Sequence, residues 1–127
     1  MMIRIGIIGS RSIREKYKIY ALLNKIFRRY PDAELVSGGA EGPDSFAYDY
    51  CIDYGHDIMV CGAGWKVHGK KAGFIRNMRI AKRADIIIAF WDDTSGGTKH
   101  CMDYAKNMGK KVYKYDFKTD KLILYGA

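Results

Sequence analysis

The sequence contains no apolar run long enough to cross a membrane, and its first residues lead into a strand-like segment without a signal-peptide pattern. It has three cysteines, an odd number without metal-like spacing: Cys51, Cys61 and Cys101. We interpret them as reduced thiols packed in the core. These absences predict a cytoplasmic protein without a membrane partner.

Several signatures of catalysis and cofactor binding are also missing. The chain contains neither the dinucleotide-binding pattern G-x-G-x-x-G nor the P-loop pattern G-x-x-x-x-G-K-[ST]. No spacing suggests a Ser-His-Asp or Cys-His arrangement, and no cluster of His, Cys and carboxylates resembles a zinc site. The sequence therefore argues against a P-loop nucleotidase, a triad hydrolase and a zinc enzyme, and it predicts no resident metal.

The 127 residues suffice for one domain with one core, so we expect a single domain over residues 1–127. The formal net charge is +8, and basic residues are dense between positions 66 and 83. Such a surface suits the phosphate of a small ligand or of nucleic acid, with a solvated face as the alternative. The residues are Lys66, Lys70, Lys71, Arg76, Arg79, Lys82 and Arg83.

Apolar strand-like segments alternate with segments of helical period, which predicts an α/β fold with a Rossmann-like, doubly wound, mainly parallel sheet of strand order 3-2-1-4-5. A C-terminal apolar segment, Leu122–Tyr125, predicts an antiparallel edge strand because only a short turn precedes it. The predicted strands are 3–8, 33–36, 56–61, 85–91 and 112–116. The predicted helices are 12–30, 43–54, 73–84 and 98–108.

Local patterns predict where the helices begin and which faces they bury. Ser12 and Glu15 form a capping-box pattern, which predicts that the first helix starts at Ser12. The expected inward positions in the first, third and fourth helices are Ile13, Tyr17, Tyr20 and Phe27; Phe74, Met78 and Ala81; and Cys101, Ala105 and Met108.

Three glycine-containing turns follow predicted strands: Gly9–Ser12, Ser37–Asp44 and Asp92–Thr98. In a parallel sheet such turns meet at the carboxyl edge, where ligands bind. Glycine allows backbone N–H groups to approach an anion, and the following helix start adds partial positive charge. The sequence therefore predicts a phosphate-bearing ligand, a nucleotide or a nucleotide derivative.

Individual side chains at these turns have both functional and structural interpretations. Arg76, in the first turn of its predicted helix, opposes the helix dipole unless it binds a phosphate. Asp44 is predicted either to accept hydrogen bonds from ribose hydroxyls or to interact with the helix dipole. Asp92 is predicted to act in acid–base chemistry, to bind a ribose, to bind Mg²⁺ carried with a nucleotide, or to lie in a solvated turn without a functional role. Trp65 suits base stacking or packing of the long loop over residues 62–72.

The predicted ligand-binding residues span all three turns and the long loop. They are Gly9, Ser10, Arg11, Ser37, Gly38, Gly39, Ala40, Gly42, Asp44, Trp65, Gly73, Arg76, Asn77, Asp92, Ser95, Gly96, Gly97 and Thr98. Residues Ser37–Ala40 are predicted to form an anion-binding nest. Asp92 and Asp44 are the candidates for catalysis, and a homo-oligomer is compatible with the sequence.

Taken in order, these motifs resemble the SLOG superfamily, which includes the LOG phosphoribohydrolases and the DNA-processing protein DprA, and in particular its small YspA-like branch from bacteria and phages. The motifs are Gly9-Ser10-Arg11, Ser37-Gly38-Gly39-Ala40-x-Gly42-x-Asp44, Trp65-x-x-His68-Gly69-Lys70-x-Ala72-Gly73-x-x-Arg76-Asn77, and Ala89-Phe90-Trp91-Asp92-x-x-Ser95-x-Gly97-Thr98-Lys99-His100. The resemblance implies a Rossmann-like fold with a nucleotide-type ligand at the carboxyl edge.

One departure separates the chain from the LOG enzymes. Arg76 matches their early helical arginine, but Cys101 stands where their glutamate is expected, three residues after Thr98. We therefore expect a nucleotide-binding sensor, sequestering or accessory protein. The alternatives are a small nucleotide-processing hydrolase and a nucleic-acid-binding protein of the DprA type.

Overall fold

A computed structural model describes residues 2–62 and 71–126. Its strands are β1 (Arg4–Gly9), β2 (Glu34–Ser37), β3 (Ile58–Val60), β4 (Ile86–Phe90), β5 (Lys111–Asp116) and β6 (Lys121–Leu124). Its helices are α1 (Lys16–Arg29), α2 (Pro43–Tyr54), α3 (Ala72–Arg83) and α4 (Gly96–Asn107).

The strands form one sheet in the order β3-β2-β1-β4-β5-β6, which confirms the predicted order of the first five strands. These five pair in parallel, and β6 pairs antiparallel with β5, as the C-terminal pattern predicted. Successive strands are added on one side of β1 as far as β3 and then on its other side from β4 onward, so the strand order reverses between β1 and β4. The pairing of these two parallel strands aligns Gly9 with Phe90. The predicted α/β, doubly wound class is therefore correct.

Alternating side chains of the central strands supply two cores, one on each face of the sheet. Ile7 of β1 and Phe90 of β4 pack with α1 and α2 on one face. Ile8 and Ala89 pack with α3 and α4 on the other face. Because both faces are covered, the central strands appear in the sequence as continuous apolar runs.

The predicted start of α1 was wrong. The helix begins at Lys16, since the Ser12 hydroxyl donates a hydrogen bond to Asp92 (2.7 Å) and is not used as a helix cap. The buried stripe is Ile19, Leu23 and Phe27, and of the four residues expected inward Tyr17 is 71% exposed. Because Ile19, Leu23 and Phe27 pack in the core, Tyr17 lies on the outer face of the helix.

Two further inward positions were wrong, one in each helix of the other face. Phe74 is half-exposed while Asn77, Ile80 and Ala81 of α3 are buried, and Met108 lies exposed beyond the end of α4 while Met102 is buried. No helix within the described residues is long and apolar enough to span a bilayer.

Gly9 allows the end of β1 to approach its neighbours closely. A Cβ at this position would lie 2.4 Å from Pro43 Cγ and 2.7 Å from the backbone oxygen of Phe90. These contacts involve a helix start and a central strand, which cannot move aside as a flexible side chain could. The glycine therefore sets the distance between β1, β4 and the first turn of α2.

We expect Gly9→Ala to reduce the free energy of unfolding by about 1–3 kcal/mol, the usual cost of overpacking. Gly96→Ala is the matched control, because a Cβ there meets no atom within 4 Å. Urea denaturation of both variants measures the difference. Equal stability of Gly9→Ala and Gly96→Ala would contradict this account of the β1 terminus.

Candidate ligand-binding site

A cavity of about 330 Å³ opens at the carboxyl edge of the sheet, between the turns that follow β1 and β4. The start of α4, the inner face of α3 and the first turn of α2 complete its wall. The lining residues are Ile8, Gly9, Arg11, Ser12, Ala40, Asp44, Arg76, Asn77, Ile80, Asp92, Ser95, Gly97, Thr98 and Cys101.

Hydrogen bonds tie the turn after β1 to the turn after β4. The buried Ser10 hydroxyl accepts a hydrogen bond from the backbone N–H of Asp92 at 3.0 Å. The backbone N–H of Ser10 donates a hydrogen bond to the carbonyl of Phe90. The Ser12 hydroxyl donates to Asp92 Oδ2 at 2.7 Å. Ser10 and Ser12 therefore position the cavity mouth, although Ser10 does not itself line the cavity.

The Asp92 carboxylate accepts hydrogen bonds from its own turn and from Ser12 of the turn after β1. Besides Ser12, it accepts the N–H groups of Thr94 (2.9 Å) and Ser95 (2.8 Å). The hydrogen bond from Ser12, followed by those from the backbone, lowers the pKa of Asp92 well below its ordinary value. Asp92 is consequently ionised at neutral pH and has no proton to donate.

The two adjacent carboxylates of this turn do not act as a pair. Asp93 has a positive φ of 65°, and its carboxylate forms an ion pair with Lys114 on β5. It does not line the cavity that Asp92 faces. Asp93 is therefore not a second carboxylate of the cavity, because the backbone conformation at this residue directs its side chain toward Lys114.

Asp44 is the buried anion of the site, with only 4% of its surface exposed. The backbone N–H of Gly38 donates to its Oδ2 at 2.8 Å. Burial raises the pKa of Asp44 to about 6, although the N–H groups of Gly38 and Ala40 and the charge of Arg76 act in the opposite direction. Asp44 can therefore exchange a proton near neutral pH.

The nest predicted at Ser37–Ala40 is occupied by groups of the protein itself. The Gly38 N–H binds the Asp44 carboxylate, and the Gly39 N–H donates to Ser37 Oγ at 3.3 Å. Ser37 is fully buried and donates its hydroxyl proton to the Asp44 carbonyl. The turn thus holds a carboxylate, and that carboxylate is a side chain of α2.

Arg76 lies against this turn. A Cβ on Gly38 would come within 2.8 Å of Arg76 Cδ and 3.0 Å of Nε, so glycine is required for the arginine to lie here. The Arg76 Nε is buried and has no hydrogen-bond partner among the described residues. Because α3 starts at Ala72, Arg76 lies at the start of the second turn and not in the predicted first turn. The effect of the helix dipole on a charge is weaker in the second turn than in the first.

The start of α4 adds polar groups to the opposite wall. Ser95 is the N-cap and its hydroxyl accepts the N–H of Thr98, while Cβ atoms on Gly96 and Gly97 would meet open space. The Asn77 side chain donates to the carbonyl of Gly97 at 3.0 Å, which joins α3 to α4. This helix terminus offers partial positive charge beside the cavity.

Cys101 forms part of the apolar floor and was not predicted as a site residue. It is 1% exposed, and burial raises the pKa of its thiol to about 12. The thiol is therefore neutral and cannot replace a carboxylate. Ile8, Ser12 and Ile80 are the other lining residues that the glycine and charge patterns did not reveal.

Most of the predicted site residues lie around this edge. Gly38 and Gly39 line an adjoining open cavity of about 370 Å³, which shares Arg11, Ala40 and Arg76 with the first. Some predicted residues line neither cavity: Ser10, Ser37, Gly42, Gly73 and Gly96. Trp65 lies outside the described residues, as does most of the long loop predicted to carry function.

Gly42 has a structural rather than a ligand-contacting position. Its φ is 84°, and a Cβ would lie 2.9 Å from the carbonyl oxygen of Ser10. It therefore brings the start of α2 against the first turn. Within residues 2–62 and 71–126, no group of three His, Cys, Asp or Glu side chains is arranged to hold a metal ion.

Comparison with known proteins identifies the family. Residues 3–68 match the model of the YspA, cpYpsA-related SLOG family. The chain belongs to this family. It is also 33% identical over 121 residues to the Gene 61 protein of Mycobacterium phage D29, across 90% of this chain and 97% of that protein. The predicted YspA-like branch of the SLOG superfamily is thereby confirmed.

Two solved structures share the SLOG fold at low sequence identity. DprA from Streptococcus pneumoniae has a TM-score of 0.75 and 16% identity over 89% of this chain. DprA from Helicobacter pylori, whose structure addresses its single-stranded DNA binding mode, has a TM-score of 0.71 and 18% identity over 88% of this chain. The match spans 50% and 64% of the two DprA chains, respectively.

The buried carboxyl of this SLOG protein predicts a pH-dependent stability difference. The Asp44 carboxyl binds a proton more tightly in the folded protein than in the unfolded protein. Its contribution to the free energy of unfolding therefore falls as the pH rises from about 4 to about 6. Asp44→Asn can still accept the Gly38 N–H but carries no charge. Relative to wild type, we expect this variant to gain roughly 2 kcal/mol between pH 4 and pH 7.

Urea denaturation at both pH values measures this gain, and Asp49→Asn, a substitution at a half-exposed carboxylate of α2, is the control. A gain in Asp49→Asn as large as that in Asp44→Asn, or none in Asp44→Asn, would contradict the assignment.

Proposed function

We propose that this protein binds a nucleotide or nucleotide-derived ligand at the carboxyl edge of its sheet and acts as a sensor, sequestering or accessory protein. The observation that carries the proposal is the buried Nε of Arg76, a cationic donor without a partner among the described residues, in the wall of a cavity. A buried, unsatisfied donor of this kind is costly unless a ligand completes it.

The distribution of unsatisfied charge favours an anionic ligand. Two arginines, Arg11 and Arg76, and two carboxylates, Asp44 and Asp92, line the cavity. The carboxylates accept hydrogen bonds from backbone and hydroxyl groups, whereas neither arginine side chain has a hydrogen bond or ion pair with another described residue. The arginines therefore retain the capacity to bind a phosphate.

The remaining walls suit the other parts of a nucleotide. Ile8, Ile80 and Cys101 form an apolar surface that a base can contact, and the N-terminus of α4 supports a second anionic oxygen. Any Mg²⁺ would enter with the phosphates of the nucleotide, since the oxygens of Asp92 already accept hydrogen bonds.

A hydrolase is the second candidate, and the pKa of Asp44 supports it. Asp44 can donate a proton near neutral pH from within the cavity, whereas Asp92 is ionised and Cys101 is neutral. Release of free base from nucleoside monophosphates would favour this function. The binding proposal expects no fast release, because Cys101 stands where the glutamate of the LOG enzymes is expected.

We expect Arg76→Ala to weaken binding of adenosine monophosphate about ten- to a hundredfold, the effect of losing a charged hydrogen bond to phosphate. Calorimetric titration measures the affinity, and a melting curve should show a folded variant, because no internal hydrogen bond of Nε is removed and only the attraction between Arg76 and the Asp44 carboxylate is lost. Arg79→Ala removes an exposed arginine from the same helix and is the matched control.

If Arg76→Ala binds as tightly as Arg79→Ala, the arginine is structural and the proposal loses its main support. The same samples, followed by chromatography for free base, test turnover: rapid release that disappears in Asp44→Asn or Asp92→Asn would replace the binding function with hydrolysis.

The fold shared with DprA and the net charge of +8 support nucleic-acid binding as a third candidate. This candidate predicts affinity for single-stranded DNA that falls steeply with salt, together with no measurable binding of mononucleotides. A titration of both ligands at low and high salt separates the two. Tight, weakly salt-dependent binding of a mononucleotide is the result that our proposal expects.

A further inference from the structure

Strand β6 ends the sheet with an unpaired edge. It lies last in the strand order, and its hydrogen bonds run to β5 in the register that places Ile123 opposite Lys114. The N–H of Tyr125 donates to the carbonyl of Val112 directly opposite, at 2.8 Å. In an antiparallel pair the hydrogen-bonded positions alternate, so Lys121, Ile123 and Tyr125 bond to β5.

The same alternation directs the backbone groups of Leu122 and Leu124 away from β5. No backbone hydrogen bond from another described segment reaches either residue. The outer edge of β6 thus offers two N–H donors and two carbonyl acceptors in the spacing of a strand.

The side chains of this edge are apolar on both faces of the sheet. Leu124 is 47% exposed on the face that carries α1, and Ile123 is 52% exposed on the opposite face. Ile123 also borders a shallow, uncovered groove with Trp91, Lys114 and Phe117. Lys121 and the short length of four residues protect the start of this edge strand, but residues 122–125 contain neither a charge nor a proline.

We propose that β6 pairs antiparallel with β6 of a second copy of this chain, about a two-fold axis at Ile123. In this register Leu122 of each copy lies opposite Leu124 of the other, so every outward N–H and carbonyl of these two residues is paired. An isologous contact of this kind closes after two copies and does not propagate.

The side chains are self-complementary in this register. Leu122 and Leu124 of the two copies form a cluster of four leucines on one face of the joined sheet. On the other face the two Ile123 side chains meet at a non-hydrogen-bonded pair, where side chains approach most closely. Each Lys121 lies opposite Tyr125 of the second copy and not opposite another Lys121.

Sedimentation equilibrium of the wild-type protein over a wide concentration range tests the proposal, and we expect the mass of a dimer. Ile123→Lys places two ammonium groups opposite one another and should raise the dimer dissociation constant at least about tenfold. Leu124→Pro removes an outward N–H while leaving the hydrogen bonds between β5 and β6, and it should have the same effect. Ile52→Lys, at an exposed position on α2, is the matched control.

Hydrogen exchange gives a second readout that does not depend on a variant folding. In the wild type, the amides of Leu122 and Leu124 should be protected at high protein concentration and exchange freely at low concentration. A wild-type monomer at all concentrations would overturn the proposal. So would a dimer that survives both substitutions, or one in which these two amides stay unprotected.

Discussion

The structure of the site depends on the close approach of the parallel strands β1 and β4, between which the strand order of the sheet reverses. Gly9 has no side chain that would separate the two strand ends from α2, and Ser10 and Ser12 then bind the turn after β4 through Asp92. Without that approach the start of α4 would not face the starts of α2 and α3. The cavity therefore follows from the topology of the sheet together with a few short hydrogen bonds.

In the electrostatic arrangement of the site, the protein supplies its own anion to the Gly38 turn. Asp44 occupies the backbone donors of the Gly38 turn, and Arg76 lies beside it without sharing a hydrogen bond. Asp44 offsets part of the positive charge of Arg76 in the wall of the cavity, and burial raises its pKa to about 6. The stability of the fold is thus coupled to pH through one buried carboxyl group.

The likeness to DprA illustrates how little sequence identity this fold requires. At 16–18% identity the fold is retained over nearly nine-tenths of the chain. What the fold alone does not transfer is chemistry, because chemistry depends on particular side chains such as Cys101, Asp44 and Arg76. The family membership therefore identifies the architecture, whereas the proposed ligand depends on the residues of the cavity.

The sequence by itself determined the alternation of strands and helices, the parallel order of the first five strands and the edge at which glycine turns and charges meet. These follow from local periodicity and from the handedness of crossover connections, which act over short stretches of chain. Tertiary structure alone decided that Ser12 would bind Asp92 and not cap α1, that Asp93 would turn away, and that the Gly38 turn would hold Asp44. Each outcome is a competition for hydrogen bonds between residues distant in sequence, and no local pattern records which partner is closer in space.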